Sequence, residues 1–282
     1  MDHKTKNKFK VAAVQMASGP SVSANLMEAE RLIQLAADGG ARLVVLPENF
    51  SFMGMSEADK LGVAELEGAG PTQDFLAHQA AKHRVWLVGG TIPLLSDNPA
   101  LVRAASLLFN AEGRCVARYD KMHLFDVMLE ESGEQYAESR TIEAGSEVCV
   151  IDTELGRIGI AVCYDLRFPE LFRRMSVRHA DMIVLPSAFT AITGKAHWRH
   201  LVCARAIENL CYVIAADQGG YHINGRESYG HSMVVDPWGA VIDCLPSGAG
   251  VVIAEIDSGV VTRVRKNFPA LEHRRLDHLV QS

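Results

Sequence analysis

Two fully apolar segments that end in proline set the strongest limit on the fold of this chain. Leu43-Val-Val-Leu-Pro-Glu-Asn-Phe50 is echoed by Met182-Ile-Val-Leu-Pro-Ser-Ala-Phe189. Strands that are apolar on both faces are typical of a sheet that is covered on both sides. The echo indicates two related halves, each delivering polar side chains to the same sheet edge. In the first half that side chain is Glu48. The candidates in the second half are Ser187, Thr190 and Thr193.

Helices and strands alternate in the first part of the chain, and hairpins follow, which predicts an α/β protein. Residues 25–37 carry an apolar face that stops at a Gly-Gly pair, and residues 72–83 read as a helix capped by Thr72. A Pro-Trp-Gly turn within residues 232–243 predicts a hairpin. Strand-like runs recur at residues 11–16, 43–46, 85–89, 106–109, 158–162, 182–185, 212–216, 232–235 and 251–256.

Composition favours one domain and argues against several kinds of partner. With 282 residues and 48% hydrophobic content, the chain can bury a large core. No Pro/Ser-rich or low-complexity linker divides it, so we expect one domain over residues 1–282. The net charge of −6 offers no basic face for a phosphate backbone, and we expect no nucleic-acid partner.

The N-terminus and the cysteines indicate a reducing compartment and no membrane partner. Basic residues 1–10 run straight into a short strand, too short and too polar for a signal or a membrane span. The six cysteines are scattered without a Cys-x-x-Cys pair, so we expect free thiols, no metal site and a cytoplasmic protein. No glycine-rich phosphate loop is present, and we expect no cofactor.

Cys163 is the candidate nucleophile, because it lies where a strand turns into a helix. Residues 157–162 read as a buried strand, and Pro169 opens an amphipathic helix. Such a turn exposes a thiol at the carboxyl edge of a sheet, near backbone N–H groups that can stabilise a thiolate or an oxyanion. A free cysteine is also commonly a small core residue, and Cys163 alone leaves that alternative open.

Reactive residues follow apolar runs in three segments. They are Leu46-Pro-Glu48-Asn-Phe50, Tyr119-Asp-Lys121-Met-His-Leu-Phe125 and Val162-Cys163-Tyr-Asp-Leu-Arg-Phe-Pro-Glu170. Together they resemble the pattern of the nitrilase superfamily of carbon-nitrogen hydrolases, from about residue 9 to about residue 273. The resemblance implies a four-layer α-β-β-α sandwich with two mixed sheets. It also implies a catalytic triad of Glu48, Lys121 and Cys163.

Each implied role has a chemical reason. Glu48 would take the proton of the thiol, return it to the leaving amine and then activate water. Lys121 would stabilise the anionic tetrahedral intermediate, helped by a backbone N–H near Tyr164. Cys163 would form a thioester with the acyl half of the substrate.

The family often has a second glutamate after the lysine, and Glu138 is the best match. It stands in Tyr-Ala-Glu-Ser before a short run to glycine, and its implied role is to position Lys121 and the substrate amide. The stretch from Asp126 to Tyr136 reads as a loop that lacks the Pro-Gly usual in relatives. Glu138 could instead be an ordinary solvated loop carboxylate. Competing candidates are Glu130, Glu131 and Glu134.

Further motifs resemble the branch that hydrolyses short dicarboxylate monoamides. These are Ser187-Ala-Phe-Thr and Ser228-Tyr-Gly-His-Ser-Met-Val-Val-Asp-Pro-Trp-Gly239. A small amide substrate carrying carboxylates is therefore expected. Arg167 offers a fork of donors for such a carboxylate, although it could instead pair with Asp165 or Glu170. The other substrate-facing positions implied by the resemblance are Tyr164, Phe189, Thr190 and Thr193.

Within that branch the motifs most resemble deaminated glutathione amidases. The expected reaction cleaves the amide of deaminated glutathione into 2-oxoglutarate and cysteinylglycine. The alternative is omega-amidase action on 2-oxoglutaramate or succinamate, with release of ammonia. Transfer of the acyl group to an amine and a non-catalytic role are further alternatives. The resemblance also implies at least a homodimer, with the C-terminal segment from Phe268 to Arg275 in the interface.

Overall fold

The computed structural model describes residues 8–130 and 133–276. Along the chain the strands are β1 (Lys8–Gln15), β2 (Ala41–Val45), β3 (Trp86–Val88), β4 (Ile92–Leu95), β5 (Val102–Phe109), β6 (Cys115–Asp120), β7 (Asp126–Leu129), β8 (Glu134–Ala137), β9 (Cys149–Thr153), β10 (Gly156–Ile160), β11 (Met182–Ser187), β12 (Tyr212–Asp217), β13 (Gly219–Tyr221), β14 (Glu227–Tyr229), β15 (Ser232–Val235), β16 (Val241–Leu245) and β17 (Gly250–Asp257). The helices are α1 (Val22–Asp38), α2 (Pro71–His83), α3 (Pro169–Val177), α4 (Ala191–Thr193), α5 (Arg199–Asn209) and α6 (Ser258–Asn267).

Two large sheets form the centre of the molecule, and both are mixed. The first has the order β17-β1-β2-β3-β5-β4, with β6 also paired to β5; the second has the order β16-β15-β12-β11-β10-β9. β1, β2 and β3 run parallel, as do β10, β11 and β12, whereas the outer pairs are antiparallel. The first half therefore supplies most of the first sheet, to which β17 is added from the C-terminal part, and the second half supplies the second sheet.

The alternation of side chains along β1 explains the layering. Val11 and Ala13 face the core that joins the two sheets, whereas Ala12 and Val14 face a second core beneath α1 and α2. Helices α3 and α5 contact each other, and α5 covers β12 and β15 on the outer face of the second sheet. Because β1 is buried on both faces, its central residues are apolar throughout. The expected four-layer α-β-β-α sandwich is confirmed.

Two local expectations were wrong. Helix α2 begins at Pro71 with Gly70 at the N-cap, so Thr72 is not the cap. Instead, the Glu65 carboxylate accepts hydrogen bonds from the backbone N–H groups of Thr72 and Gln73, at 2.6 and 3.2 Å. A buried carboxylate from outside the helix thus replaces the usual capping side chain. The stretch from Asp126 to Tyr136 is not a loop, because β7 and β8 within it pair as antiparallel strands; residues 131–132 lie outside the described part.

No helix in the described part of the chain is both long and apolar enough to span a bilayer.

Candidate active site

Cys163 lies in a sharp turn directly after β10. The strand ends at Ile160, and residues Cys163–Arg167 form a single 3-10 turn before α3 begins at Pro169. Cys163 itself has a φ of 45°. This is the left-handed region, which is unfavourable for a residue with a Cβ and occurs most often where function requires it. The turn therefore holds the thiol in a strained conformation at the sheet edge.

Asp165 holds this turn from within. Its carboxylate is fully buried and accepts a hydrogen bond from the Val162 N–H at 2.8 Å. It also accepts from the Tyr119 hydroxyl at 2.7 Å and from the His123 N–H at 3.1 Å. Tyr119 and His123 flank Lys121, so one carboxylate connects the Cys163 turn to the segment that carries the lysine.

Lys121 lies between two carboxylates. Its Nζ is 2.8 Å from Glu48 Oε1 and 2.8 Å from Glu138 Oε2, and its side chain is only 1% exposed. Burial alone would lower the pKa of Lys121, but the charges of Glu138, Glu48 and Cys163 outweigh burial and raise that pKa well above its usual range. The charged ammonium form of Lys121 is therefore favoured.

The Cys163 thiol is buried beside this group. Burial raises the pKa of Cys163 well above its ordinary value, and the Glu48 charge raises it further, while Lys121 and a hydrogen bond with the backbone of Ala188 lower it. Cys163 also hydrogen bonds to the Glu48 side chain. The resting sulfur is thus a neutral thiol, with a carboxylate in place to take its proton.

Glu48 is positioned by a tight turn after β2. Gly90 packs against this turn with a φ of +52°, and a Cβ there would lie 2.0 Å from the Pro47 carbonyl oxygen. The Asn49 N–H donates to the Thr91 hydroxyl at 2.9 Å, and Gln218 Nε2 donates to the Glu48 carbonyl at 2.9 Å. The turn is therefore fixed by contacts from both sheets.

Glu138 is the second carboxylate of the cluster, in a 3-10 turn directly after β8. Besides Lys121, it accepts a hydrogen bond from the Phe125 N–H at 2.8 Å. Among the competing glutamates, Glu130 is exposed and Glu134 hydrogen bonds to Tyr136. Glu131 lies outside the described residues.

Two cavities meet at Cys163. The first has a volume of about 480 Å³ open to solvent, and the second about 220 Å³. The first is lined by Glu48, Asn49, Met53, Glu57, Lys121, Phe125, Tyr136, Glu138, Cys163, Ala188, Thr190, Arg226, Glu227 and Ser228. The second is lined by Phe125, Cys163, Tyr164, Arg167, Ala188, Phe189, Thr190 and Thr193.

The proposed substrate-facing residues line the second cavity. Arg167 Nη1 donates to His197 Nδ1 at 3.2 Å, and its guanidinium lies over the rings of Tyr164 and Phe189. Asp165 instead binds Tyr119 and His123, so the alternative pairing of Arg167 with Asp165 is wrong. Phe189 also packs against Trp198, so it serves both the core and the cavity. Thr190 and Thr193 are joined through their hydroxyl groups at 2.8 Å.

Ser187 differs from its expected position. It is fully buried, it lines neither of these two cavities, and its hydroxyl bonds to the Leu185 carbonyl at 3.4 Å. Because side chains alternate along a strand, the residue after it faces the cavities instead, and this is Ala188.

The sequence interpretation missed several cavity residues, above all Glu57 and Arg226. Arg226 stands at the end of the turn between β13 and β14, and its Nη1 donates to Glu57 Oε1 at 2.7 Å. The only local signal is that Arg226 comes two residues before the Ser228–Gly239 motif. Within residues 8–130 and 133–276, no group of three or more His, Cys, Asp or Glu side chains is arranged to hold a metal ion.

An α-β-β-α sandwich with this site at its sheet edge defines a class of enzyme, the hydrolases of amide carbon-nitrogen bonds. Within that class the chain belongs to the carbon-nitrogen hydrolase family of the nitrilase superfamily, because residues 10–266 match the family model.

The similarity to known proteins extends over nearly the whole chain. A protein of Synechocystis named deaminated glutathione amidase is 42% identical over 269 residues, which cover 94% of this chain and 98% of that protein. The crystal structure of the C. elegans NitFhit protein superposes with a TM-score of 0.89 at 37% identity, covering 97% of this chain and 66% of that one. Saccharomyces cerevisiae Nit3, described as a member of branch 10 of the nitrilase superfamily, gives 0.85 at 33% identity, covering 95% and 97%.

Proposed function

We propose that this protein hydrolyses the amide bond of deaminated glutathione, releasing 2-oxoglutarate and cysteinylglycine through a thioester on Cys163. The observation that carries the proposal is the position of the buried thiol, which lies where two cavities meet and next to the group formed by Lys121, Glu48 and Glu138. The names of the relatives support the choice of substrate.

In the proposed first step, Glu48 accepts the proton of the Cys163 thiol as sulfur attacks the carbonyl carbon. Because the pKa of the resting thiol is raised by burial, the proton leaves during the attack rather than before it. The negative charge on the carbonyl oxygen is stabilised by Lys121 and by a backbone N–H near Tyr164. The carbon-nitrogen bond then breaks, and Glu48 gives the proton to the leaving amine.

In the second step, water takes the place of the amine. Glu48 accepts a proton from the water, whose oxygen attacks the thioester carbon. The carbon-sulfur bond breaks, and sulfur regains a proton. Glu138 positions Lys121 throughout, since both of its oxygens lie within 3.0 Å of the ammonium nitrogen. Arg167, with Phe189, Thr190 and Thr193, holds the acyl half of the substrate.

The proposal is tested with Cys163→Ala and Glu48→Gln. Cys163→Ala removes the nucleophile from a turn and creates little core space, so turnover is expected to vanish while the folded circular-dichroism spectrum persists. Acid-quenched wild type mixed with substrate is expected to show an acyl adduct on Cys163 by mass spectrometry, whereas Glu48→Gln, which lacks the base of the first step, is expected to show neither adduct nor turnover. Hydrolysis that survives in Cys163→Ala would refute the mechanism. Faster turnover of 2-oxoglutaramate or succinamate than of deaminated glutathione would refute the substrate.

A homodimer of one-domain subunits completes the proposal. The ring centroids of Trp238 and Phe268 are 5.6 Å apart, and both residues are more than half exposed. Ile207 is also half exposed. Exposed apolar patches of this kind mark interaction surfaces. Light scattering is expected to give twice the chain mass of 30.8 kDa, and Phe268→Asp to lower it. A wild-type monomer at micromolar concentration would exclude the dimer. The cytoplasmic location stays a prediction.

A further inference from the structure

The two cavities beside Cys163 each contain one arginine. The first cavity contains Arg226 and the second contains Arg167, while Phe125, Cys163, Ala188 and Thr190 are shared between them. A substrate whose carbonyl carbon lies at the sulfur therefore extends one half into each cavity. Each half of the substrate meets its own cation.

The position of the proton donor decides which half enters which cavity. Glu48 must give a proton to the leaving nitrogen, and Glu48 lines the first cavity but not the second. Lys121 and Glu138 also line the first cavity only. The amine half of the substrate therefore lies in the first cavity with Arg226, and the acyl half lies in the second cavity with Arg167.

Arg226 shares the Glu57 carboxylate with Lys60. Glu57 accepts hydrogen bonds from Lys60 and from Arg226, each at 2.7 Å. Although burial raises the pKa of Glu57, the Lys60 and Arg226 charges outweigh it and lower that pKa to about 2, so the carboxylate is ionised. These three side chains together carry one positive charge, and Glu134, which hydrogen bonds to Tyr136, adds a negative charge nearby. Glu227 lines the same cavity, but its carboxylate is exposed and screened by water.

Arg226 is also held in place. Its guanidinium lies 4.7 Å from the centre of the Tyr136 ring. The hairpin that carries it is fixed by His222, which bonds to the Ser18 carbonyl and the Ser228 hydroxyl at 2.9 Å, and by Asn224, which donates to the Gly54 carbonyl. A guanidinium has five N–H donors, and the Glu57 bond uses one of them. The side chain is preorganised to bind a further carboxylate.

We propose that Arg226, held by its ion pair with Glu57, binds the carboxylate of the amine half of the substrate. The inference rests on the proposed function, in which that group is the glycine carboxylate of cysteinylglycine. Binding of this carboxylate by Arg226 would make the enzyme favour an amide whose leaving group is a dipeptide. A monoamide that releases ammonia has no group to reach Arg226.

The test compares two substrates and three enzymes. The substrates are deaminated glutathione and its analogue in which the glycine carboxylate is a carboxamide; the enzymes are wild type, Arg226→Met and Arg31→Met. Wild type is expected to prefer the carboxylate by roughly 10- to 100-fold in kcat/KM, mainly through KM, and Arg226→Met is expected to lose that preference. Arg31 pairs with Glu28 on the surface of α1, so Arg31→Met is expected to keep it.

The outcomes separate this inference from the proposed function. If Arg226→Met retains the wild-type preference, or if wild type shows none, the carboxylate site is refuted while hydrolysis of deaminated glutathione still stands. If wild type cleaves only amides that release ammonia, the proposed function fails and the site fails with it. Arg226→Lys keeps the positive charge but lacks the paired donors of a guanidinium, so it is expected to show an intermediate preference. This variant still tests the site if Arg226→Met does not fold.

Discussion

At the scale of single residues, the site depends on a lysine that neutralises two buried carboxylates. Lys121 is almost fully buried, and its partners Glu48 and Glu138 are buried as well. Taking three charges out of water is costly, and the cost is recovered only while the opposite charges face each other. Removal of one partner leaves the others uncompensated. The same arrangement that stabilises an oxyanion is therefore sensitive to any change in charge.

We predict that Lys121→Met abolishes turnover and lowers the free energy of unfolding by about 3–5 kcal/mol. The change leaves Glu48 and Glu138 facing each other without a cation between them. Unfolding in urea, followed by circular dichroism, measures the loss of stability, and a steady-state assay measures the loss of turnover.

The double variant Lys121→Met/Glu138→Gln separates charge from packing. It removes one of the two opposed carboxylates, so part of the stability is expected to return while activity stays absent. Equal stability of the single and double variants would show that charge repulsion is not the cause of the loss.

At the scale of elements, Asp165 fixes the distance between the strand that precedes Cys163 and the segment that carries Lys121. β10 and β6 belong to different sheets, so no shared strand pairing holds their ends together. The carboxylate bonds to both ends, through Val162 on one side and Tyr119 and His123 on the other. It therefore positions two reactive groups without lining either of the cavities beside Cys163.

We predict that Asp165→Asn lowers kcat by roughly tenfold or more, with a smaller change in KM, and costs about 1–3 kcal/mol of stability. The amide replaces one acceptor with a donor, which then faces N–H and O–H groups that also donate. Kinetics measured well below the unfolding transition separate displacement of the thiol from loss of folded protein. The matched control is Asp152→Asn, because Asp152 pairs with Arg157 on the surface and its loss is expected to cost little. A proportional rise in KM with kcat preserved would contradict the positioning role.

At the scale of the whole molecule, the sequence predicted the features that are encoded locally. Apolar runs predicted the strands. Glu48 and Cys163 could be found because each comes shortly after one of these strands in the sequence. The hairpin of β7 and β8 was missed because its strands are four residues long and only half-buried, so they carry little alternation. Arg226 was missed because its partner Glu57 is 169 residues away in the sequence, so no local pattern links the two.

Buried thiols make the stability of the whole chain fall at alkaline pH. Cys211 is fully buried between α5 and β12, and burial raises its pKa from 9.0 to about 12. Between these two values the unfolded chain loses the thiol proton while the folded chain keeps it, so stability is complete below pH 9 and falls as the pH rises towards 12. For Cys211 alone the loss is about 1 kcal/mol at pH 10.

We therefore predict that Cys211→Ala is less stable than wild type at pH 7 but loses less stability between pH 8 and pH 10. The cavity left by the sulfur lowers stability equally at each pH, whereas the ionisation of the unfolded thiol contributes only above pH 9. Urea unfolding under reducing conditions at pH 8, 9 and 10 gives both quantities. Cys115→Ala is the matched control, since Cys115 is exposed and is expected to change the slope less. Parallel pH profiles for wild type and Cys211→Ala would show that the thiol of Cys211 ionises as readily in the folded chain as in the unfolded one.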